Sequence, residues 1–323
     1  MKLSLLLAAG YAGRVADRSW PVSPASCDPD VARRSVEDNL ALGRRADEKG
    51  FDWVSVSEHH YGPIMLTPNP LVWAGALTQV VRRARIALLG PVLPLNNPVR
   101  VAEEVAMLDL MSGGRIIVLF LRGVPNETRT YLGGEPTDPR AATQEGIDLI
   151  LKAWTAPEPF AWEGEQHRYG LVSIWPQPFQ KPHPPVFGSG NSDDSVLFAA
   201  QRRLGLAISF APVEQVARQV ARYRAEAEKA GWSPTPDHVL YRAVAQVSES
   251  DAVSESHAGG EGIFRPFFHG GPKSVLGQID SLRAAGVGVI DMAFAAVSHE
   301  RAMASVDILA EAVLPQMREM EPA

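Results

Sequence analysis

The chain has 323 residues, 46% of them apolar, which is enough for a large core and for one α/β barrel of about 250 residues with insertions. A net charge of −6, from 37 acidic and 31 basic residues with no basic run, argues against a nucleic-acid groove. The single cysteine, Cys27, excludes an internal disulfide and a multi-cysteine metal site and points to a reducing, cytoplasmic setting; no apolar run approaches the ~20 residues of a membrane span.

In chain order, Leu3–Ala8 reads as a first strand rather than a signal peptide, since one Lys precedes it and Gly10-Tyr11 and polar residues follow. A Pro- and Ser-rich loop (Tyr11–Asp30) leads to a helix over Arg33–Lys49, stopped by Gly50. Phe51–Ser57 is a second strand with Glu58-His59-His60 at its end. A helix from Thr67 or Asn69 to Val81 follows, then a strand over Ile86–Gly90. Asn97-Pro98 opens a third helix whose Val101, Val105 and Leu108 share one face, and Ile116–Phe120 is a strand buried on both faces.

A helix over Ala141–Trp154 is followed by a Trp- and Pro-rich insertion, Thr155–Pro184, with room for a small hairpin. Val186–Gly190, Leu206–Phe210, Val239–Val247 and Val289–Phe294 are further strands. They alternate with helices at Ser192–Arg202, over Val213–Ala227, at Pro272–Ala285 and at Arg301–Met317. A polar, Gly-rich stretch, Ser248–Gly271, is a second insertion after strand seven. Eight strand–helix cycles without a Gly-rich dinucleotide or Walker motif predict an α/β fold, a single-domain (β/α)8 TIM barrel over residues 1–323.

In such a barrel the active site lies where the strands end, which turns position into a candidate list. Adjacent residues on a strand point to opposite faces, so His59 and His60 do not both ligate one metal ion; no metal is expected. A histidine there is either a hydrogen-bonded core residue or a base or donor. Arg122 follows a run of apolar residues, and a buried guanidinium needs a phosphate or a carboxylate. Gly188–Ser192 runs into a helix N-terminus that favours an anion, although Asp193-Asp194 adds charge nearby. The plainer readings are a structural salt bridge and an ordinary capped helix.

Several stretches together resemble the bacterial-luciferase-like, flavin-dependent monooxygenase family. They are Ser57–Tyr61, Asn97–Arg100 running through Glu103-Glu104 to Leu108–Arg115, Leu121-Arg122-Gly123, and His183–Val186 with Gly190–Ser192 and Phe198–Ala200. Gly271-Pro272 and Leu282–Val287 complete the ordered set. The resemblance implies reduced FMN from a separate flavin reductase, O2 as co-substrate, oxygenation of a small organic molecule through a C4a-peroxyflavin, and a homodimer. It makes His59 the active-site histidine, puts the flavin phosphate on Arg122, Gly190, Asn191, Ser192 and Ser195, and adds Glu58 to the flavin site. Leu89-Gly90 is implied to lie under the flavin ring, often through a strained non-prolyl cis peptide.

Leu121 stands where the luciferases carry a cysteine, and Ser248–Gly271 is short for a long mobile lid. Asp109, Ser112 and Arg115 are read as structural. Trp20, Phe120, Trp175 and Phe210 are candidates to keep the mouth dry. The alternatives are an F420-dependent oxidoreductase of the same superfamily, a non-catalytic flavin-binding protein and a metal-dependent hydrolase. The substrate is not specified.

Overall fold

The computed structural model describes residues 1–134, 138–255, 265–294 and 297–320. Its first half runs β1 (Lys2–Leu6), α1 (Pro29–Glu48), β2 (Trp53–Ser57), α2 (Pro70–Val80), β3 (Arg85–Val92), α3 (Pro98–Ser112) and β4 (Ile116–Leu121). After β4 come α4 (Pro125–Leu132), α5 (Pro139–Thr155) and a hairpin, β5 (Phe160–Glu163) with β6 (Arg168–Val172). The second half runs β7 (Val186–Ser189), α6 (Asp193–Gln201), β8 (Gly205–Ser209), α7 (Val213–Lys229), β9 (Val239–Val247), α8 (Asp251–Glu255), β10 (Phe268–Gly270), α9 (Pro272–Ala284), β11 (Val289–Phe294) and α10 (His299–Ile308).

Strands β1, β2, β3, β4, β7, β8, β9 and β11 pair in parallel in that order. β11 returns to β1, Lys2 opposite Val289, and the eight close into a barrel. β10 lies outside the ring against the end of β9.

Four helices begin alike. Asp28, Asn69, Asn97 and Asp138 each accept hydrogen bonds from two first-turn N–H groups, and each is followed by proline. The side-chain oxygen satisfies donors that have no carbonyl four residues back, and proline removes one donor while fixing φ for the helix. The barrel interior holds an apolar cluster of Trp53, Ala87, Leu89, Ile117, Leu119, Phe187, Ala207, Leu240 and Val289. Residues of opposite parity pack outward in a larger core beneath the helices, for example Val54, Leu88, Val118 and Ile290.

Element types and order match the sequence reading, including the hairpin in the first insertion. The second insertion contains α8 and β10, which were not expected; residues 256–264 within it, on which the lid expectation falls, lie outside the described residues. Helix α4 was also not expected.

Candidate active site

Strand β2 ends at Ser57, and the chain turns at once. The Thr67 hydroxyl donates to the Ser57 carbonyl (2.7 Å), and the Ser57 hydroxyl donates to the Leu89 carbonyl on β3 (3.1 Å). Glu58 is buried. One carboxylate oxygen accepts from the Val92 backbone N–H (2.9 Å) and the other lies 3.0 Å from His60 Nε2. Between Leu89 and Val92 the β3 register shifts, and Gly90 adopts φ 129°, which side chains disfavour. A Cβ on Gly90 would also stand 3.2 Å from Glu58 Cβ and backbone N. The end of β2 and the bulge of β3 are thus one latched unit. The expected strained cis peptide at Leu89-Gly90 is corrected. The cis bonds among the described residues all precede proline, at Trp20-Pro21, Trp175-Pro176 and Lys181-Pro182, and positive φ at Gly90 accommodates the kink instead.

His59 points away from this unit. Its Nδ1 lies 3.1 Å from Glu127 Oε1, while Glu127 Oε2 accepts from the His60 backbone N–H (3.1 Å). One carboxylate on α4 therefore fixes the His59 ring and the chain beside it. Gly123 lets the chain approach: a Cβ there would meet Thr128 Oγ1 and Val92 Cγ1, both at 2.6 Å. His59 is 30% exposed and Glu127 13%, so the ring keeps an open side. His60, by contrast, is buried against Glu58, so the two histidines do not converge. Among the described residues no group of His, Cys, Asp and Glu could hold a metal ion.

Aromatic rings cover this corner. Trp20 Nε1 donates to the His60 carbonyl (3.1 Å) and stands edge-on to Tyr61, and the Tyr131 ring lies 4.7 Å from His60. Phe210, at φ 56° just past β8, is partly exposed, and its N–H bonds the Arg242 carbonyl. The other two expected wall residues are elsewhere. Phe120 is buried in the outer core beside Trp154. Trp175 is 85% exposed near the end of α5 and before the start of β7, at the opposite end of the barrel.

The anion-seating end is built on β4 and β7, which are neighbours through Val118–Val186 and Leu119–Phe187. Arg122, one residue past β4, is exposed rather than buried, because the apolar run ends with the strand; among the described residues it has no ion pair. The structural salt bridge is thereby removed as an explanation of its charge. Just past β7, Gly190 sits where a Cβ would strike Ile208 Cγ1 at 2.7 Å and Leu206 Cγ at 2.8 Å. Asn191 is tied at both ends of its amide to the Ser209 backbone, donating to its carbonyl (2.7 Å) and accepting from its N–H (3.0 Å).

Helix α6 then starts without a side-chain cap, since the Ser192 and Ser195 hydroxyls pair with each other at 2.8 Å. The first-turn acids are met by arginines, Asp193 by Arg222 and Asp194 by Arg140, which lowers the negative charge beside the helix N-terminus.

The structure brings Glu58, Leu89 and Gly90 together, turns the adjacent His59 to Glu127 instead, and places Arg122, Gly190, Asn191, Ser192 and Ser195 past the strand ends of β4 and β7. Glu127 was missed. Pro125 at a helix start, Glu127 in its first turn and Gly133-Gly134 at its stop were the available signals.

Residues 18–314 match the luciferase-like monooxygenase family. An alkanal monooxygenase alpha chain of Photorhabdus laumondii is 31% identical over 187 residues, covering 58% of this chain and 51% of that one. The oxygenase component of a flavin-dependent trigonelline monooxygenase from Acinetobacter baylyi is 24% identical over 75% of this chain and 67% of its own. The chain thus spans about half the length of the first of these relatives. Among solved structures, the monooxygenase RslO1 of Streptomyces bottropensis superposes with a TM-score of 0.84 at 25% identity, covering 98% of this chain and 99% of that one. The fold alone is shared with the oxygenating constituent of 3,6-diketocamphane monooxygenase from Pseudomonas putida in complex with FMN (TM-score 0.78, 17% identity, 98% of each chain). It is shared also with an F420-dependent secondary alcohol dehydrogenase (0.75, 16%, 97% and 98%).

Proposed function

The chain belongs to the luciferase-like monooxygenase family, and from that premise we propose that it is the oxygenase of a two-component system. It takes reduced FMN from a separate flavin reductase, and O2, and oxygenates a small organic molecule. The observation that carries this reading is the anion seat: an exposed Arg122, without an ion pair among the described residues, and the side-chain-uncapped start of α6, which follow the neighbouring strands β4 and β7.

The residues fit an FMN phosphate. Arg122 with the first-turn N–H groups of α6 and the Ser192 and Ser195 hydroxyls would hold it, with Gly190 and Asn191 shaping the turn. Leu89 and Gly90, braced by Glu58, would present backbone to the ring system. Reduced FMN, when bound, supplies the electrons that activate O2, so that one oxygen atom enters the substrate and the other leaves as water.

His59 is the proton-handling residue of this site, oriented by Glu127, and its exposed side faces the mouth. Trp20, Tyr61 and Tyr131, packed around the neighbouring His60, would limit water at this corner. We place the protein in the cytoplasm as a homodimer; no described helix is long and apolar enough to cross a membrane.

The test supplies reduced FMN from a reductase and follows O2 uptake and oxygenated product over a panel of aldehydes and ketones. His59→Ala should cut product about 10²–10⁴-fold while FMN affinity changes little; unchanged turnover removes His59 from the chemistry. Oxidation of reduced F420 without O2 uptake would replace the monooxygenase reading with a dehydrogenase. Tight FMN binding with no product would replace it with a binding protein.

A further inference from the structure

Inside the barrel a buried polar cluster lies on one side of the wall. Asp291 on β11, fully buried, accepts from the Ser4 hydroxyl on β1 (2.6 Å), the Ser55 hydroxyl on β2 (2.7 Å) and Arg242 Nε on β9 (2.7 Å). β9 and β2 are separated by β11 and β1, so their side chains meet on one carboxylate only across the concave interior. The opposite wall, on β3, β4 and β7, is Leu89, Leu119, Leu121 and Phe187. Arg242 and Asp291 lie two residues beyond Leu240 and Val289 of the inner apolar cluster, toward the strand C-termini. Arg242 is in register with Ser209, the last residue of β8. The pair is therefore at the floor of the mouth.

Both oxygens of Asp291 accept hydrogen bonds, whereas one nitrogen of Arg242 donates none. The guanidinium side chain is 10% exposed, and its Nη2 is buried without a hydrogen-bond partner. A charged donor left unmet in the interior costs about 1–3 kcal/mol or more, and a purely structural pair would satisfy it. Charge identifies what is missing. Asp291 already balances the guanidinium, so an added carboxylate would leave a net negative cluster in a low-dielectric pocket. A neutral carbonyl oxygen gains a charge-assisted bond without that cost.

We infer that Arg242 is a specificity residue whose guanidinium, a tenth exposed at the floor of the mouth, seats the neutral carbonyl oxygen of a bound molecule, with the molecule's apolar body on the Leu89–Leu119–Leu121 wall. This rests on the proposed flavin-monooxygenase reading of the mouth, and it offers two sources for the oxygen: a carbonyl-bearing substrate, or a ring carbonyl of the flavin.

The experiment compares wild type with Arg242→Lys, which keeps a cation beside Asp291 but has only one nitrogen. Fold is checked by circular dichroism and melting, and Arg242→Gln with Asp291→Asn serves if the lysine variant does not fold. The probes are oxidised FMN, by fluorescence quenching, and 1-indanone against indane and benzoate, by calorimetry. A substrate seat predicts that wild type holds indanone at least about tenfold tighter than indane and that the variant loses the preference. A flavin seat predicts instead an FMN Kd raised about tenfold in the variant. A folded variant matching wild type on both measurements overturns the inference, as does benzoate binding through Arg242 more tightly than indanone. Wild type that prefers indanone yet does not bind FMN would contradict the flavin reading and leave the role of Arg242 standing.

Discussion

His59 is held by a carboxylate 68 positions along the chain, Glu127, which also anchors the backbone of His60. Replacing Glu127 with Ala removes both contacts and should lower kcat about 10–100-fold with little change in FMN affinity. Glu127→Gln keeps an acceptor and should recover most of that loss; equal loss in both variants would mean that the charge matters rather than the ring's orientation. At this scale the sequence was legible where chemistry is carried by one strand end. His59 and Arg122 became candidates as soon as β2 and β4 were placed, and the family resemblance then gave His59 its expected role. Their surroundings were not legible, because Glu127, Tyr131 and Arg242 reach the site from distant segments. Arg122 was expected buried by extending the apolar pattern of β4, but the strand ends at Leu121 and the side chain is exposed.

Elements were legible where local chemistry forces them. The Asx-Pro starts of α2 and α3 and the αL glycine at Gly113 that ends α3 follow from the sequence, whereas α1 and α5 begin earlier, at Pro29 and Pro139, than the expected Arg33 and Ala141. Helix α4 escaped because eight residues give too few turns for a hydrophobic period, and the β3 bulge because its cause, Glu58, lies on another strand. Asp47, near the end of α1, accepts from the N–H groups of Arg82, Arg83 and Ala84 and so fixes the approach to β3. Burial pushes its carboxyl up, but these three backbone bonds outweigh it and hold the group below its ordinary range. Its stabilisation is present above about pH 4 and is lost as pH falls through the lowered folded value. Asp47→Asn should cost about 2–3 kcal/mol at neutral pH, and the gap in urea stability between the two proteins should close as pH falls well below 4. A gap constant with pH would refute the assignment. Gly190→Ala drives a methyl into Ile208 and Leu206, and should cost about 1–3 kcal/mol and weaken FMN binding.

Across the whole molecule, closure of β11 onto β1 was legible from the count of strand–helix cycles, since parallel strands need a helix between them. The polar cluster on one side of the interior was not, because Ser4, Ser55, Arg242 and Asp291 converge only when the barrel closes. The outer surface carries a further expectation. Val72 on α2 and Met107, Leu110 and Met111 on α3 are exposed on helices that pack together. A second copy would cover them, and Met107→Glu with Met111→Glu should convert a dimer to a monomer in analytical ultracentrifugation. Wild-type protein that sediments as a monomer would exclude this interface.

The central claim, that a flavin phosphate is held between Arg122 and the start of α6, is tested most directly by calorimetric titration with FMN, riboflavin and F420, on wild type and Arg122→Ala. The account predicts FMN binding about 10–100-fold tighter than riboflavin, a preference lost in Arg122→Ala, and weaker binding of F420. Equal affinity for FMN and riboflavin, or F420 bound more tightly than FMN, would contradict it.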